Sequence, residues 1–176
     1  MVADSNYRPS WDDYFMAICR IVATRSTCDR LNAGAVLVKN HRIISTGYNG
    51  SPVGLPHCYE VGHLLEEGHC VRTIHAEHNA ILQAAVMGST STQDSTMYLL
   101  YTPCIHCCKY IVTCGVKRVV AQKVYRNSQA IDYLQAAGVH FDLYQPNLDW
   151  NHKLEKIFSE ELVEKKAPPV KFTIKH

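Results

Sequence analysis

From Thr96 to Tyr144 the chain alternates between short β-type runs and helical segments, and this alternation narrows the possible folds more than any other feature. Thr96–Thr102 (TMYLLYT) reads as a strand ending at a proline. Cys104–Gly115 suits a helix, because Pro103 fixes the approach and Gly115 ends it. Lys117–Gln122 reads as the next strand, Ser128–Ala137 as the next helix and Val139–Tyr144 as the last strand. Strands separated by single helices can become parallel neighbours through right-handed crossovers, giving a sheet covered on both faces.

The segment before this alternation adds two strands and two helices. Ser10 can cap a helix with Asp13 at its third position, and Trp11, Tyr14, Phe15, Ile18, Ile21 and Val22 then form an apolar face ending near Arg25 and Ser26. Gly34–Lys39 and Arg42–Gly47 read as a hairpin turned by Asn40 and His41. Residues 48–58 (YNGSPVGLPHC) read as a loop, and Thr73–Met87 has helical periodicity with Gly88 as its stop. The expected class is α/β, with a five-stranded mixed sheet covered by helices. A chain of 176 residues with 47% hydrophobic content suits one core, so residues 1–176 are expected to form a single domain. Its core spans about 10–145, followed by an extension over 146–176. Within that extension Asp149–Lys165 suits a terminal helix, and KKAPPVKFTIKH reads as a mobile tail or an arm on a neighbouring subunit.

Charge and targeting signals exclude several functions. Eighteen Lys and Arg against sixteen Asp and Glu, with no basic run longer than two, leave no electrostatic footprint for a long nucleic acid. The first twenty residues lack the pattern of a secretory signal, and no apolar run reaches membrane length. A soluble cytoplasmic protein is expected, in a host's cytoplasm if the source is a virus. Eight cysteines alongside ten histidines then favour reduced thiols and metal over disulfides.

Two helix starts carry the chemistry. Cys104 and Cys107 lie three apart at the start of a helix, where one exposed turn presents both thiols and the helix dipole favours thiolate. His75, at the other helix start, would complete three protein ligands and leave a fourth tetrahedral position for water, the arrangement of a catalytic zinc. Glu77 lies two residues past His75 and can reach the same space from the first turn, as a proton carrier between the water and a substrate. The bland alternative is a satisfied histidine, a solvated glutamate and two buried thiols. H-x-E followed by P-C-x-x-C is the signature of zinc-dependent deaminases.

Beyond the signature, Trp11–Met16, Arg25–Cys28, Arg42–Pro52, Cys70–Glu77 and Tyr101–Cys104 resemble the deoxycytidylate deaminases of the cytidine deaminase superfamily. The resemblance implies a cytidine deaminase-like α/β/α sandwich and hydrolysis of dCMP to dUMP and ammonia. It further implies that His75, Cys104 and Cys107 hold zinc, that Glu77 is the acid/base, that Asn49 contacts the sugar and that the Thr102 carbonyl orients the amino group. Asn49 in Tyr-Asn-Gly is equally a turn residue. Arg25 could bind the 5′-phosphate or be a solvated helix-end cation, with Ser51 and Tyr125 as further phosphate, sugar or base contacts. Members of this family are often homo-hexamers, activated by dCTP with a divalent ion such as Mg2+ and inhibited by dTTP, and Gly47–Gly50 resembles part of the regulatory surface.

The remaining thiols suggest a second, structural zinc. Some phage-type relatives use cysteines placed as Cys28 and Cys58, and His69 and Cys70 are the expected partners here, with His63 as the substitute. A polar loop with scattered thiols is the alternative. Cys108 leaves its helix about 100° from Cys107 and is not expected at the catalytic metal. Competing functions are a closed zinc-stapled binding module, a tRNA adenosine or polynucleotide cytidine deaminase, and a dual dCMP/dCTP deaminase. No basic patch interleaved with aromatics supports a polynucleotide. The expected partners are therefore a mononucleotide substrate and nucleotide effectors, with no membrane.

Overall fold

The computed structural model describes residues 8–88, 91–125 and 129–159. Residues 8–146 form one compact unit, and the described residues 147–159 belong to a second. In chain order the first unit contains α1 (Trp11–Ala23), β1 (Gly34–Lys39), β2 (Arg42–Tyr48), α2 (Cys58–Val61), β3 (Leu65–Glu66), β4 (His69–Cys70) and α3 (Ala76–Met87). It continues with β5 (Thr96–Tyr101), α4 (Ile105–Thr113), β6 (Arg118–Lys123), α5 (Gln129–Ala136) and β7 (His140–Leu143). The second unit carries α6 (Leu148–Ser159), opened by the Trp150 N–H donating to Asn147 Oδ1 at 3.0 Å. The rest of the expected terminal helix and the C-terminal tail lie outside the described residues.

The main sheet has the order β2-β1-β5-β6-β7, antiparallel between β2, β1 and β5 and parallel from β5 to β7. It is the expected five-stranded mixed sheet flanked by helices, the α/β/α sandwich of the cytidine deaminase fold. Its two cores follow the strand period of two. Ala35, Leu37, Met97, Leu99, Val119 and Ala121 face one layer with residues of α3, α4 and α5. The intervening Val36, Val38, Tyr98 and Val120 face Phe15, Met16 and Cys19 of α1. The β1–β2 turn takes both Asn40 (φ 50°) and His41 (φ 57°) into the left-handed region, as a tight two-residue hairpin requires.

Acidic residues in the first turn of α1 pin it to the sheet. The Ser10 hydroxyl accepts the Asp13 N–H at 3.1 Å, and the Asp13 carboxylate accepts the Ser10 N–H at 3.2 Å, the expected capping box. Asp12 receives two guanidinium bonds from Arg118, both 2.8 Å, and one from the Tyr98 hydroxyl at 2.7 Å. Tyr144 donates to Asp13 at 2.7 Å, and Arg118 also reaches Asp142 at 2.7 Å. One arginine thus joins α1 to two strands.

On the opposite face Gly47 sets how closely α3 approaches β2. A Cβ there would lie 2.2 Å from the Ala76 carbonyl oxygen and 2.3 Å from the Ala80 nitrogen, so only glycine admits the helix at this distance. Gly47, Asn49 and Gly50 are buried and Tyr48 is half-buried. The loop after β2 is more ordered than its composition suggests. It contains α2 and the small β3–β4 hairpin, and Gly50 pairs with Ile74 in an antiparallel bridge immediately before α3. No helix among the described residues is long and apolar enough to cross a membrane.

Candidate metal centre and active site

Two helix N-termini converge at one point. His75 is the N-cap residue of α3, Cys104 is the N-cap residue of α4, and Cys107 lies in the first turn of α4. His75 Nδ1 is 3.6 Å from Cys104 Sγ and 3.4 Å from Cys107 Sγ. A tetrahedral zinc with its usual bond lengths separates nitrogen and sulfur ligands by roughly 3.5 Å, so the three side chains fit one metal without rearrangement. Cys108 turns away, buried and directed at the Ala130 carbonyl 3.6 Å off.

The electrostatics suit ligands that bind a cation together. A hydrogen bond from Cys107 lowers the pKa of the Cys104 thiol to about 3, helped by His75, while the same contact and burial push Cys107 up. In the metal-free pair Cys104 carries the thiolate and Cys107 the proton, which metal binding would release. The bond to Cys104 raises the His75 pKa against the effect of burial. Glu77 is only 8% exposed, and burial pushes its carboxyl up, opposed by its own backbone amide and by His75. Burial thus favours the proton-holding form of this carboxyl relative to an exposed glutamate.

His75, Glu77 and Cys104 line a cavity of about 420 Å3 together with Asn49, Thr102 and Tyr125. Asn49 is held by accepting the Ala33 N–H at 2.8 Å and donating to the Leu31 carbonyl at 2.7 Å, which leaves one amide hydrogen and one lone pair for a ligand. The Thr102 hydroxyl accepts the Tyr125 N–H at 2.7 Å and ties the end of β5 to the segment after β6. Tyr125 stands edge-on to Tyr101, with ring centroids 6.2 Å apart.

Two expected contacts are not among the lining residues. Arg25 is exposed in the turn that closes α1, its N–H donating to the Val22 carbonyl at 3.1 Å. The Ser51 N–H donates to Thr27 Oγ1 at 3.4 Å, and its buried hydroxyl has no partner among the described residues. Arg30 does line the cavity and was not singled out from the sequence, where it stands as an ordinary loop arginine in Cys-Asp-Arg.

A second cluster joins Cys28, Cys58, His63 and Cys70. Cys58 Sγ and Cys70 Sγ are 3.6 Å apart, and Cys28 Sγ lies 3.8 Å from His63 Nδ1. Tetrahedral zinc places such pairs roughly 3.5 to 3.8 Å apart, so this set also fits one ion, with four protein ligands and no open position. Burial and the Cys70 contact push Cys58 up to about 12. Burial also acts upward on Cys70, but the Arg72 backbone, His63, Cys58 and Cys28 outweigh it and bring that thiol to about 7. The imidazole here is His63, in place of the expected His69. His69 and Cys70 are successive residues of β4, so their side chains leave opposite faces and only one can enter the cluster. His69 lines the active cavity, whereas His63 turns its other nitrogen to Asp29 at 3.1 Å, the carboxylate support usual behind a metal-binding histidine.

An open three-ligand Cys/His centre with a buried carboxylate beside it, on an α/β/α sandwich, defines a zinc hydrolase of the deaminase type. Residues 9–123 match the family model described as the cytidine and deoxycytidylate deaminase zinc-binding region, and the chain belongs to that family. It is 45% identical over 133 residues to ComE operon protein 2 of Bacillus subtilis, covering 75% of this chain and 70% of the relative. It is 36% identical over 151 residues to the deoxycytidylate deaminase of Schizosaccharomyces pombe, covering 81% of this chain but only 46% of that longer protein. Among solved structures, the dCMP deaminase of cyanophage S-TIM5 in complex with dCMP and dUMP aligns with a TM-score of 0.69 at 31% identity, covering 79% of this chain and all of that one.

Proposed function

We propose that this chain hydrolyses dCMP to dUMP and ammonia. The observation that carries the reading is the buried Glu77 beside the His75–Cys104–Cys107 centre, inside a cavity of about 420 Å3 that suits one nucleotide. A zinc ion held by these three ligands would supply an activated water at near-neutral pH. Glu77 takes a proton from that water and delivers it to N3 of cytosine, which makes C4 more electrophilic. The hydroxide so formed adds to C4, and Glu77 then carries its remaining proton to the amine, which leaves as ammonia when the C4–N bond breaks and the C4 carbonyl forms. Thr102, fixed through Tyr125, offers its carbonyl to the exocyclic amino group, and the spare amide groups of Asn49 receive a sugar hydroxyl.

The second cluster is read as a structural zinc site held by Cys28, Cys58, His63 and Cys70, which ties residues 58–70 to the turn after α1. Hexameric assembly and control by dCTP with Mg2+ and by dTTP follow from the family resemblance, and sedimentation with and without these nucleotides tests them. The decisive experiment on the reaction measures ammonia release from dCMP, dCTP, deoxycytidine and a structured RNA under identical conditions. Preferred turnover of dCMP is the expected result. Preference for RNA, or for deoxycytidine over dCMP, would sink the nucleotide-specific reading, and equal use of dCTP would make the enzyme a dual deaminase.

A further inference from the structure

The turn after α1 holds two arginines, and the cavity distinguishes them. Arg30 lines it together with Gly68 and His69 of the β3–β4 hairpin, whereas Arg25 is not among the lining residues. Among the described lining residues Arg30 is the one Lys or Arg. Its Nη2 donates to the Gly68 carbonyl at 2.9 Å, and no carboxylate among the described residues pairs with it. A guanidinium has five N–H donors, so this bond fixes the plane of the fork while leaving donors for a ligand. Both ends of the contact are anchored by the same cluster: Cys28 stands two residues before Arg30, and Cys70 two residues after Gly68.

The cavity is also polarised. Its inner end holds the buried Glu77 beside the thiol–imidazole centre, a poor neighbour for a second anion. Arg30 is exposed at the rim, where it can meet an anion without the cost of full burial. A ligand with a neutral ring at one end and a dianion at the other therefore has one favourable orientation, ring inward and phosphate toward the rim.

We infer that Arg30, held against the β3–β4 hairpin, binds the 5′-phosphate and selects nucleotides over nucleosides, the role that sequence position suggested for Arg25. This rests on the deaminase reading above and adds to it a specificity-determining residue. A charge-assisted, two-donor contact to phosphate predicts that Arg30→Ala raises KM for dCMP about ten- to a hundredfold relative to its effect on deoxycytidine. Arg30→Lys keeps the charge but loses the fork, so it should recover only part of that difference. Arg25→Ala should leave the dCMP-to-deoxycytidine ratio at the wild-type value.

Calorimetric binding of dUMP and deoxyuridine gives a second readout that needs no turnover. Arg30→Ala should weaken dUMP and leave deoxyuridine unaltered. Equal losses on phosphorylated and unphosphorylated ligands, an unchanged ratio in Arg30→Ala, or a ratio moved by Arg25→Ala instead would each overturn the assignment. If the wild-type protein does not turn over dCMP yet Arg30→Ala still weakens dUMP selectively, the reaction proposed above fails and the phosphate contact stands. A wild-type protein that binds dUMP no more tightly than deoxyuridine overturns the contact itself.

Discussion

Gly47→Ala tests how the fold positions the chemistry, because the substitution adds one methyl group at a residue that does not itself line the cavity. The new Cβ would lie 2.2 Å from the Ala76 carbonyl oxygen and 2.3 Å from the Ala80 nitrogen. Both obstacles are helix backbone, which cannot rotate aside as a side chain would, so β2 and α3 must separate. Overpacking costs about 1 to 3 kcal/mol, and backbone obstruction places this case at the upper end; at about 2 to 4 °C per kcal/mol the melting temperature should fall by about 6 to 12 °C. The functional loss should exceed what stability explains. Ala76 stands between His75 and Glu77, so retreat of α3 moves a metal ligand and the proton carrier together, and a displacement near 1 Å can cost about a hundredfold in rate. Calorimetry, zinc analysis and dCMP turnover on the folded variant at 20 °C read the three consequences. A variant that melts with the parent and keeps its turnover would refute the claim that close α3 packing on β2 sets the site.

Glu77→Gln should retain the metal of the His75 centre, since glutamate is not a proposed ligand, and lose at least about two to four orders of magnitude in kcat; normal turnover with full zinc would end the proton-carrier role. Zinc analysis should give two ions per chain in the wild type and one in His63→Ala, with two retained in His69→Ala; a wild-type count of one removes the second site, and loss from His69→Ala in place of His63→Ala reverses the ligand assignment. The Asp12–Arg118 contact gives a pH signature. Hydrogen bonding from Arg118 lowers the Asp12 pKa against the opposing effect of burial. A carboxylate with a depressed folded pKa contributes stability above its unfolded value of about 4 and loses it as pH falls through the folded value. Asp12→Asn should therefore be less stable than wild type in urea at pH 7, with the gap narrowing progressively as pH falls below about 4; a gap that stays constant as the pH is lowered would show that the ion pair is not its source.

Local signals were legible in the sequence wherever a few adjacent residues determined the result. Ser10 with Asp13, Asn40 with His41, and Gly88 in the left-handed conformation (φ 61°) each mark an element boundary through their own backbone chemistry. The metal centre was legible for the same reason: His75 and Cys104 each begin a helix, and helix starts can be read from short motifs. The strand order was not. Antiparallel pairing of β1 with β5 joins residues about sixty apart, and no local pattern records which strand will be the neighbour. The β3–β4 hairpin has two residues per strand, too few for any periodicity to emerge.

Two placements, His63 rather than His69 in the thiol cluster and Arg30 rather than Arg25 along the cavity, have one physical origin. Each choice lies between residues of the same type a few positions apart, and composition and spacing treat both alike. What separates them is the path of residues 24–33 and 57–73, which depends on contacts between the two segments: Cys28 with His63, Arg30 with Gly68 and Asp29 with His63. Once that path is set, strand alternation lets Cys70 but not His69 enter the cluster, and the turn after α1 brings Arg30 but not Arg25 to the cavity. The thiol–imidazole cluster and the Arg30 side of the cavity are therefore built from the same two segments, so a change that loosens the cluster should be felt first at Arg30 and only later at Glu77.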